Sequence, residues 1–296
     1  MPAVVVATYN VHGGVDGWGR PFDVVDACRR IDADVLVLQE CWTPEGGVST
    51  AERVAGALGG VHLELALARG RIAAPPADTG GRWGPRLWAR SAYGLRLARR
   101  RQGPARRRGP PPGVDPERGT WGIAMVSRLP VVRSWTIELP QLRSDPARRG
   151  AIVADLEVDG VAQPLRVVGT HLAHLRQGSP RHIAALRREL RHAGLGGRWA
   201  RRRRDASRPG VLAGDMNLWG PPLSVMFPGW SRAVRGRSWP TWTRRPLAQS
   251  DHILVTRAVM ATGAVLDIAG SDHFPVRATL VIGRTNILQA RDDDGR

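Results

Sequence analysis

Carboxylates, amides and imidazoles recur in this chain just past apolar runs. Asn10 follows "AVVVATY", and Glu40 closes "ADVLVLQE". His171 ends a third such run in "GTHLAH", and Asp215 and Asn217 stand in "AGDMNLW", two apart and so on one side of an extended chain. Asp251 opens "DHILVT", while Asp272 and His273 precede the apolar part of "GSDHFPVRATLVI". Each alone has an ordinary structural reading. Asn10 and Asp272 suit turns, Glu40 a cap or the surface, His171 a satisfied core imidazole, and Asp-x-Asn a turn. Together they hold the parts of one chemistry. Glu40 and Asp272 are hard oxygen ligands, and Asn10 adds an amide oxygen. That set suits Mg2+, with Mn2+ as the alternative, because such an ion takes few protein oxygens and keeps waters for a phosphate. A carboxylate at Asp251 can orient the His273 imidazole. Asp215 can position a water, and Asn217 and His171 can donate to an anionic oxygen. The inventory is that of metal-assisted phosphoester hydrolysis.

Other chemistries lack their residues. No Cys/His cluster has zinc spacing, no Walker-type phosphate loop occurs, and no G-x-S-x-G elbow is present.

The elements that must position these groups follow from periodicity. Residues 3–9 and 33–40 are continuous apolar runs, fit for buried strands. "PFDVVDACRRI" (21–31) places Phe22, Val25, Cys28 and Ile31 at helical intervals, and "STAERVAGALGG" (49–60) has a Ser/Thr cap and a Gly stop. Residues 122–127, 130–139, 150–158 and 164–172 read as strands, the last two as a hairpin around "DGVAQ". "SPRHIAALRRELRHAG" (179–194) is a helix with Ser179 expected as cap and Pro180 at the first position. Residues 210–217, 251–257 and 274–282 complete the strands. Strands and helices alternate irregularly, which implies mixed sheets with helices outside, in one domain over 1–283. Residues 69–118, including "RRRQGPARRRGPPPG", read as a basic insertion, 198–209 as a second basic loop, and 284–296 as a mobile tail.

Composition sets the partners. The chain has 296 residues and a formal charge of +18, and all 44 basic residues are Arg. GC-rich coding bias explains the all-Arg usage as well as selection does, but the resulting field attracts a polyanion either way. No apolar run is long enough to span a bilayer, and the N-terminus reads as a strand rather than a signal peptide. Cys28 and Cys41 are expected as free thiols in a reducing, cytoplasmic setting.

From "TYNVHGG" through "LQE" and "GDMN" to "SDHFPV", nearly the whole chain resembles the endonuclease/exonuclease/phosphatase superfamily. Its members include pancreatic-type deoxyribonuclease, abasic-site endonucleases, neutral sphingomyelinases and inositol-polyphosphate 5-phosphatases. The resemblance implies an α/β fold of α+β type: a four-layer sandwich, two packed mixed β-sheets flanked by helices. It places Asn10, Glu40 and Asp272 on the metal side, with Glu40 the central Mg2+ ligand. Asp215 and Asn217 would handle the attacking water and the phosphoryl oxygen, His171 the phosphate or leaving group, and Asp251 would pair with His273. Arg149, in "RRGAI", matches a strand-start arginine aimed at phosphate, although Arg148 beside it could serve instead. Residues 69–118 match no element of the family, and the Glu that supports the first histidine in the deoxyribonuclease branch is missing. "SWPTWT" followed by "SDHILV" looks more like the bacterial phosphatase and phosphodiesterase branches.

Three functions stay open at this level. A phosphodiesterase or nuclease would use the arginines for phosphates and Trp18, Trp42, Trp219, Trp239 and Trp242 for stacking, although loop packing also accounts for those rings. A lipid or small-molecule phosphoesterase would dock its arginines on an anionic membrane. A non-catalytic basic nucleic-acid-binding protein would keep the fold without turnover. A monomer is expected in each case.

Overall fold

The computed structural model describes residues 2–17, 20–72, 96–97, 117–195, 208–241 and 246–283. Strand β1 (Ala3–Asn10) lies parallel to β2 (Val35–Pro44) and antiparallel to β13 (Val276–Ile282). The β1 run is apolar throughout because both its faces are covered. Val4 and Val6 point between the two sheets, and Ala7 and Tyr9 point under helices. Those helices are α1 (Val24–Ile31) and α2 (Thr50–Leu58). Asp23 caps α1 by accepting the Asp26 N–H, and Ser49 caps α2 by accepting the Glu52 N–H. Such caps satisfy donors that the first helical turn leaves unpaired. Cys28, Ile31, Ala51 and Val54 then close over Leu36 and Leu38 of β2.

The first sheet continues through β5 (Glu117–Ser127), β3 (Val61–Ile72) and the short β4 (Arg96–Leu97), and on its other edge carries β12 (Val259–Val265) outside β13. The second sheet runs in the order β10-β11-β9-β8-β7-β6. Its strands are β6 (Val131–Glu138), β7 (Gly150–Leu156), β8 (Leu165–His171), β9 (Gly210–Asp215), β10 (Trp230–Arg232) and β11 (Asp251–Thr256). Helices α3 (Ser179–His192) and α4 (Gly220–Met226) cover its outer face with Ile183, Leu186, Leu190 and Leu223. Val35, Val37, Met125, Val167, Val211 and Ile253 fill the space between the sheets. The expected four layers are present, with both sheets mixed and β7–β8 forming the expected hairpin.

Several local expectations differ. Ser179 does not cap α3: Gly178 (φ 110°) takes that position, and Ser179 is buried as the first helical residue. Strand β3 was not anticipated, although Val61, Leu63, Leu65 and Leu67 alternate along it. It carries the regular fold to Ile72, into the segment read as insertion, and β5 resumes at Glu117. Residues 73–95 and 98–116, most of the second basic loop (196–207) and the tail (284–296) lie outside the described residues.

Two features of the second sheet lead to predictions. Gly214 has φ +151°, and a Cβ there would stand 1.9 Å from the Thr170 carbonyl oxygen on β8. Gly214→Ala is therefore expected to destabilise the chain by about 2–6 kcal/mol through backbone strain and overpacking, a fall of roughly 5–15 °C in Tm. An unchanged melting curve would show that the β8–β9 contact is looser than described. The second is buried Asp155 on β7, which accepts from Arg166 at 2.6 and 2.7 Å, from Arg133 at 2.9 Å and from Arg208 at 3.3 Å. Burial alone would raise its pKa, but the Arg166 guanidinium and its neighbours hold it below the usual value. A carboxyl depressed in the folded state adds stability above its unfolded pKa and loses it as pH falls through the folded one. Asp155→Asn is expected to cost about 3–5 kcal/mol at neutral pH. The gap from wild type should close below pH ~4, measured by urea unfolding across pH. A gap independent of pH would contradict the ion-pair origin.

Candidate active site

Strand direction brings the polar groups to one edge of the sandwich. Strand β1 finishes there with Asn10 opposite Gln39 of parallel β2, and parallel β8 and β9 finish there with His171 opposite Asp215. Antiparallel β11 begins there, so Asp251 faces Asp215 across the ladder. Antiparallel β13 also begins there, so the turn holding Asp272 and His273 falls beside the end of β1.

Glu40 arrives by a different device. Val35 and Val37 point into the inter-sheet core and Leu36 and Leu38 under the helices, so plain alternation would send Glu40 outward. The β2–β5 register instead slips between Gln39 and Cys41, and Glu40 takes φ +57°. It is the extra residue of a β-bulge, which re-aims a side chain at the expense of a local kink. Beyond it the faces have exchanged: Cys41 packs under the helices and Trp42 between the sheets.

The side chains then join in one network. The Asn10 Nδ2 donates to Glu40 Oε1 at 3.2 Å and to Asp215 Oδ2 at 3.3 Å. The Asn10 amide oxygen accepts the His12 backbone N–H at 3.0 Å, which fixes the amide with its NH2 toward the two carboxylates. Asp215 Oδ1 accepts the Asn217 N–H at 2.9 Å, and its Oδ2 lies 3.7 Å from His171 Nε2 and 3.9 Å from His273 Nε2. Asn217 (φ 48°) donates through Nδ2 to the Leu172 carbonyl at 2.9 Å, with that nitrogen 3.4 Å from His171 Nε2. Fully buried Asp251 holds His273 Nδ1 at 2.8 Å and accepts the hydroxyls of Ser238 at 2.6 Å and Ser250 at 2.9 Å. Asp272 contacts His12 Nδ1 through Oδ1 and accepts Trp239 Nε1 on Oδ2 at 3.2 Å. Glu40 and Asp272 thus stand on either side of Asn10 and His12.

Burial and charge separate the titrating groups. Burial, then the charge of Asp251, pushes the Asp215 pKa up to about 7. Burial would lower His273, but Asp251 and Asp272 outweigh it and hold the imidazole well above its ordinary value, hence protonated. Burial and then Arg149 hold His171 well below that value, hence neutral. Ligand atoms of Asp215, Asp251 and His273 lie within 4.8 Å of one another, the one such acidic or imidazole group among the described residues. In this group Asp251 Oδ2 takes His273 Nδ1 and the hydroxyls of Ser238 and Ser250, while Asp251 Oδ1 is buried without a hydrogen-bond partner among the described residues.

The network includes residues that sequence reasoning passed over, His12 on Asp272 and Ser238 and Ser250 on Asp251, and it uses Trp239, expected only for stacking, as a donor to Asp272. Trp121 was missed too. Its ring lies 5.2 Å from that of His171 and 5.1 Å from the Arg149 guanidinium carbon. Arg149 is buried, with Nε on Asp145 at 2.7 Å and Nη1 without a hydrogen-bond partner among the described residues. It stands behind Trp121 and acts on His171 through its charge. Trp42 is buried in the inter-sheet core and unavailable for stacking. Trp239 is half-buried over His273, with ring centroids 6.3 Å apart, and Trp219 is 61% exposed just beyond Asn217. Trp18 and Trp242 lie outside the described residues.

The comparisons with known proteins identify this sandwich as a phosphoesterase- and nuclease-type fold. Residues 7–273 match the model of the Endonuclease/Exonuclease/phosphatase family, and the chain belongs to that family. Among solved structures it is similar to an endonuclease/exonuclease/phosphatase from Beutenbergia cavernae, at 20% identity and a TM-score of 0.58, covering 96% of this chain and 72% of that one. The human Nocturnin catalytic domain, solved with a bound sulfate anion, aligns at 15% identity and a TM-score of 0.58, over 95% of this chain and 94% of that one. Truncated TDP2 from Caenorhabditis elegans aligns at 13% identity and a TM-score of 0.53, over 94% and 97%. At these identities the likeness is one of fold. No curated protein sequence matches the chain.

Proposed function

We propose that this protein is a Mg2+-dependent phosphodiesterase acting on nucleic acid, with water as the nucleophile. The observation that carries the reading is the hydrogen-bonded chain Glu40–Asn10–Asp215–Asn217, closed by the Asp251–His273 ion pair at the same edge. The donor chemistry fits a hard divalent cation. Glu40 is a half-buried carboxylate bridged to Asp215 by the Asn10 NH2. Glu40 and Asp272 would hold the ion, and Asn10 would fix the Glu40 carboxylate through its NH2 rather than ligate through its oxygen. When bound, Mg2+ neutralises charge on the phosphoryl group.

The chain's own groups have separable tasks. Asp215, with a pKa near the working pH, takes the proton of the attacking water, and the Asn217 N–H and Asn10 NH2 hold its carboxylate in place. His273 is a poor base because Asp251 and Asp272 keep it protonated, so it serves as a fixed positive charge for the phosphoryl oxygens. Neutral His171 and the Asn217 amide supply uncharged hydrogen bonds. Trp219, exposed just beyond Asn217, offers a stacking face for a base. The formal charge of +18 favours a polyanionic strand. Buried free Cys28 and Cys41 support a reducing compartment such as the cytoplasm. No helix among the described residues is long and apolar enough to cross a membrane.

Purified protein incubated with Mg2+ or Mn2+ against plasmid DNA, RNA, sphingomyelin vesicles and phosphoinositide vesicles tests the reading. Cleavage of DNA or RNA is expected, abolished by EDTA and weakening steeply between 50 and 200 mM salt. Headgroup or phosphate release from vesicles, without strand cleavage, would replace the nucleic-acid reading with the lipid one. Binding without any turnover would support the adaptor.

A further inference from the structure

A cationic cleft lies at the other end of the second sheet. It has a volume of about 510 Å3 and is bordered by β6, the start of β8, the C-terminal end of α3 and Arg208, two residues before β9. Three arginines from separate elements, Arg133, Arg166 and Arg208, converge in it on Asp155. One carboxylate neutralises one of them. The other acid on its wall, Glu189, pairs with Arg188, which is not among the lining residues. Among the described residues the cleft therefore keeps an excess of positive charge.

The arginines are also fixed in place. The guanidinium carbons of Arg133 and Arg166 each lie 4.7 Å from the Trp135 ring centroid. Arg166 spends Nε and Nη2 on Asp155 and Nη1 on the Ala193 carbonyl. Arg208 places Nη2 on Asp155, while its buried Nε has no hydrogen-bond partner among the described residues. Arg133 engages Asp155 through Nε, with its side chain 61% exposed. Fixed guanidinium groups with N–H donors to offer match the several acceptor oxygens of a phosphate group. Burial and the neighbouring Arg166 and Arg133 weigh on Arg208, and Asp155 offsets them only in part. An anion in the cleft relieves that repulsion.

We infer that this cleft is a binding site for a small phosphate-bearing ligand, separate from the hydrolytic edge. Arg166 and His171 bound the same strand β8 near its two ends, five residues apart, so the two sites stand ~16 Å from each other along the sheet. The inference does not depend on the proposed reaction.

Isothermal titration calorimetry of the full chain with inorganic pyrophosphate in EDTA tests it. The His273→Ala variant serves as background, to weaken binding at the hydrolytic edge. Saturable binding is expected on that background. Arg133→Gln and Arg208→Gln, each added to it, should weaken the affinity by at least about tenfold, the loss of one charge-assisted hydrogen bond. Melting without ligand checks that the variants fold, and the exposed Arg133 keeps the test alive if Arg208→Gln does not. Affinity unmoved by either arginine variant overturns the inference, as does the absence of saturable binding. A short oligonucleotide forms the second arm. If its binding depends on both arginines while that of pyrophosphate does not, the cleft docks a strand and the small-ligand inference fails.

Discussion

Glu40→Gln is expected to lower Mg2+-dependent turnover by ~10^3-fold or more. Several kcal/mol of charge stabilisation come from the ion that this carboxylate would hold. The substitution keeps the shape of the side chain and an oxygen for the Asn10 NH2, which donates at 3.2 Å. Stability should hold or improve. The φ +57° of Glu40 is kept by glutamine, so backbone strain is unchanged, but the charge of Glu40 raises the pKa of Asp215 and its removal relieves a like-charge contact. The expected pattern is a large loss of rate with an equal or higher Tm, read by steady-state kinetics and thermal melting. Loss of both together would make Glu40 a structural residue, and retention of rate would remove it from the chemistry.

Asp251→Asn should be the second-largest loss, roughly 10^2–10^4-fold in kcat with a smaller change in KM. Asp251 touches no solvent and acts through His273, whose Nδ1 it holds at 2.8 Å. An amide at that position cannot keep the imidazole charged, and it competes for the wrong tautomer. The hydroxyls of Ser238 and Ser250 both donate to the carboxylate and would need to turn. Asp251→Asn should therefore destabilise as well, by about 3–5 kcal/mol less whatever deprotonation of His273 relieves. The distinguishing readout is the His273 titration followed by NMR. Its pKa, high in the wild type, should fall toward the ordinary value. An unchanged His273 pKa with unchanged kcat would show that the ion pair plays no part in turnover.

The sandwich was legible because its central strands are apolar over their whole length. The 3–10 run needs cover on both faces, which the second sheet on one side and helices on the other supply. Asp215 and Asn217, Asp251, and Asp272 with His273 were legible for a related reason: each is a costly polar group placed where a buried strand must stop. What could not be read depends on distant pairing. The bulge that turns Glu40 inward is a slip of β2 against β5, whose partner residues lie some eighty positions further along the chain. His12 reads as part of a Gly-rich turn, and its partner Asp272 is 260 residues away. Strand β12 carries Gly263 and an exposed outer face, and α4 opens on two prolines, so neither displays the periodicity of a core element. Asn10 was expected to offer its oxygen to a metal. In the structure that oxygen also accepts the His12 backbone N–H, a contact set by the local turn that residue type alone does not convey.

A Mn2+-soaked crystal, measured near the manganese absorption edge, tests the centre most directly. An anomalous difference peak is expected in contact with the Glu40 carboxylate, on the side of Asn10 facing Asp272, and absent in Glu40→Gln crystals. A peak seated instead among Asp215, Asp251 and His273, or one that survives the Glu40 substitution, would contradict a metal centre built on the β2 bulge.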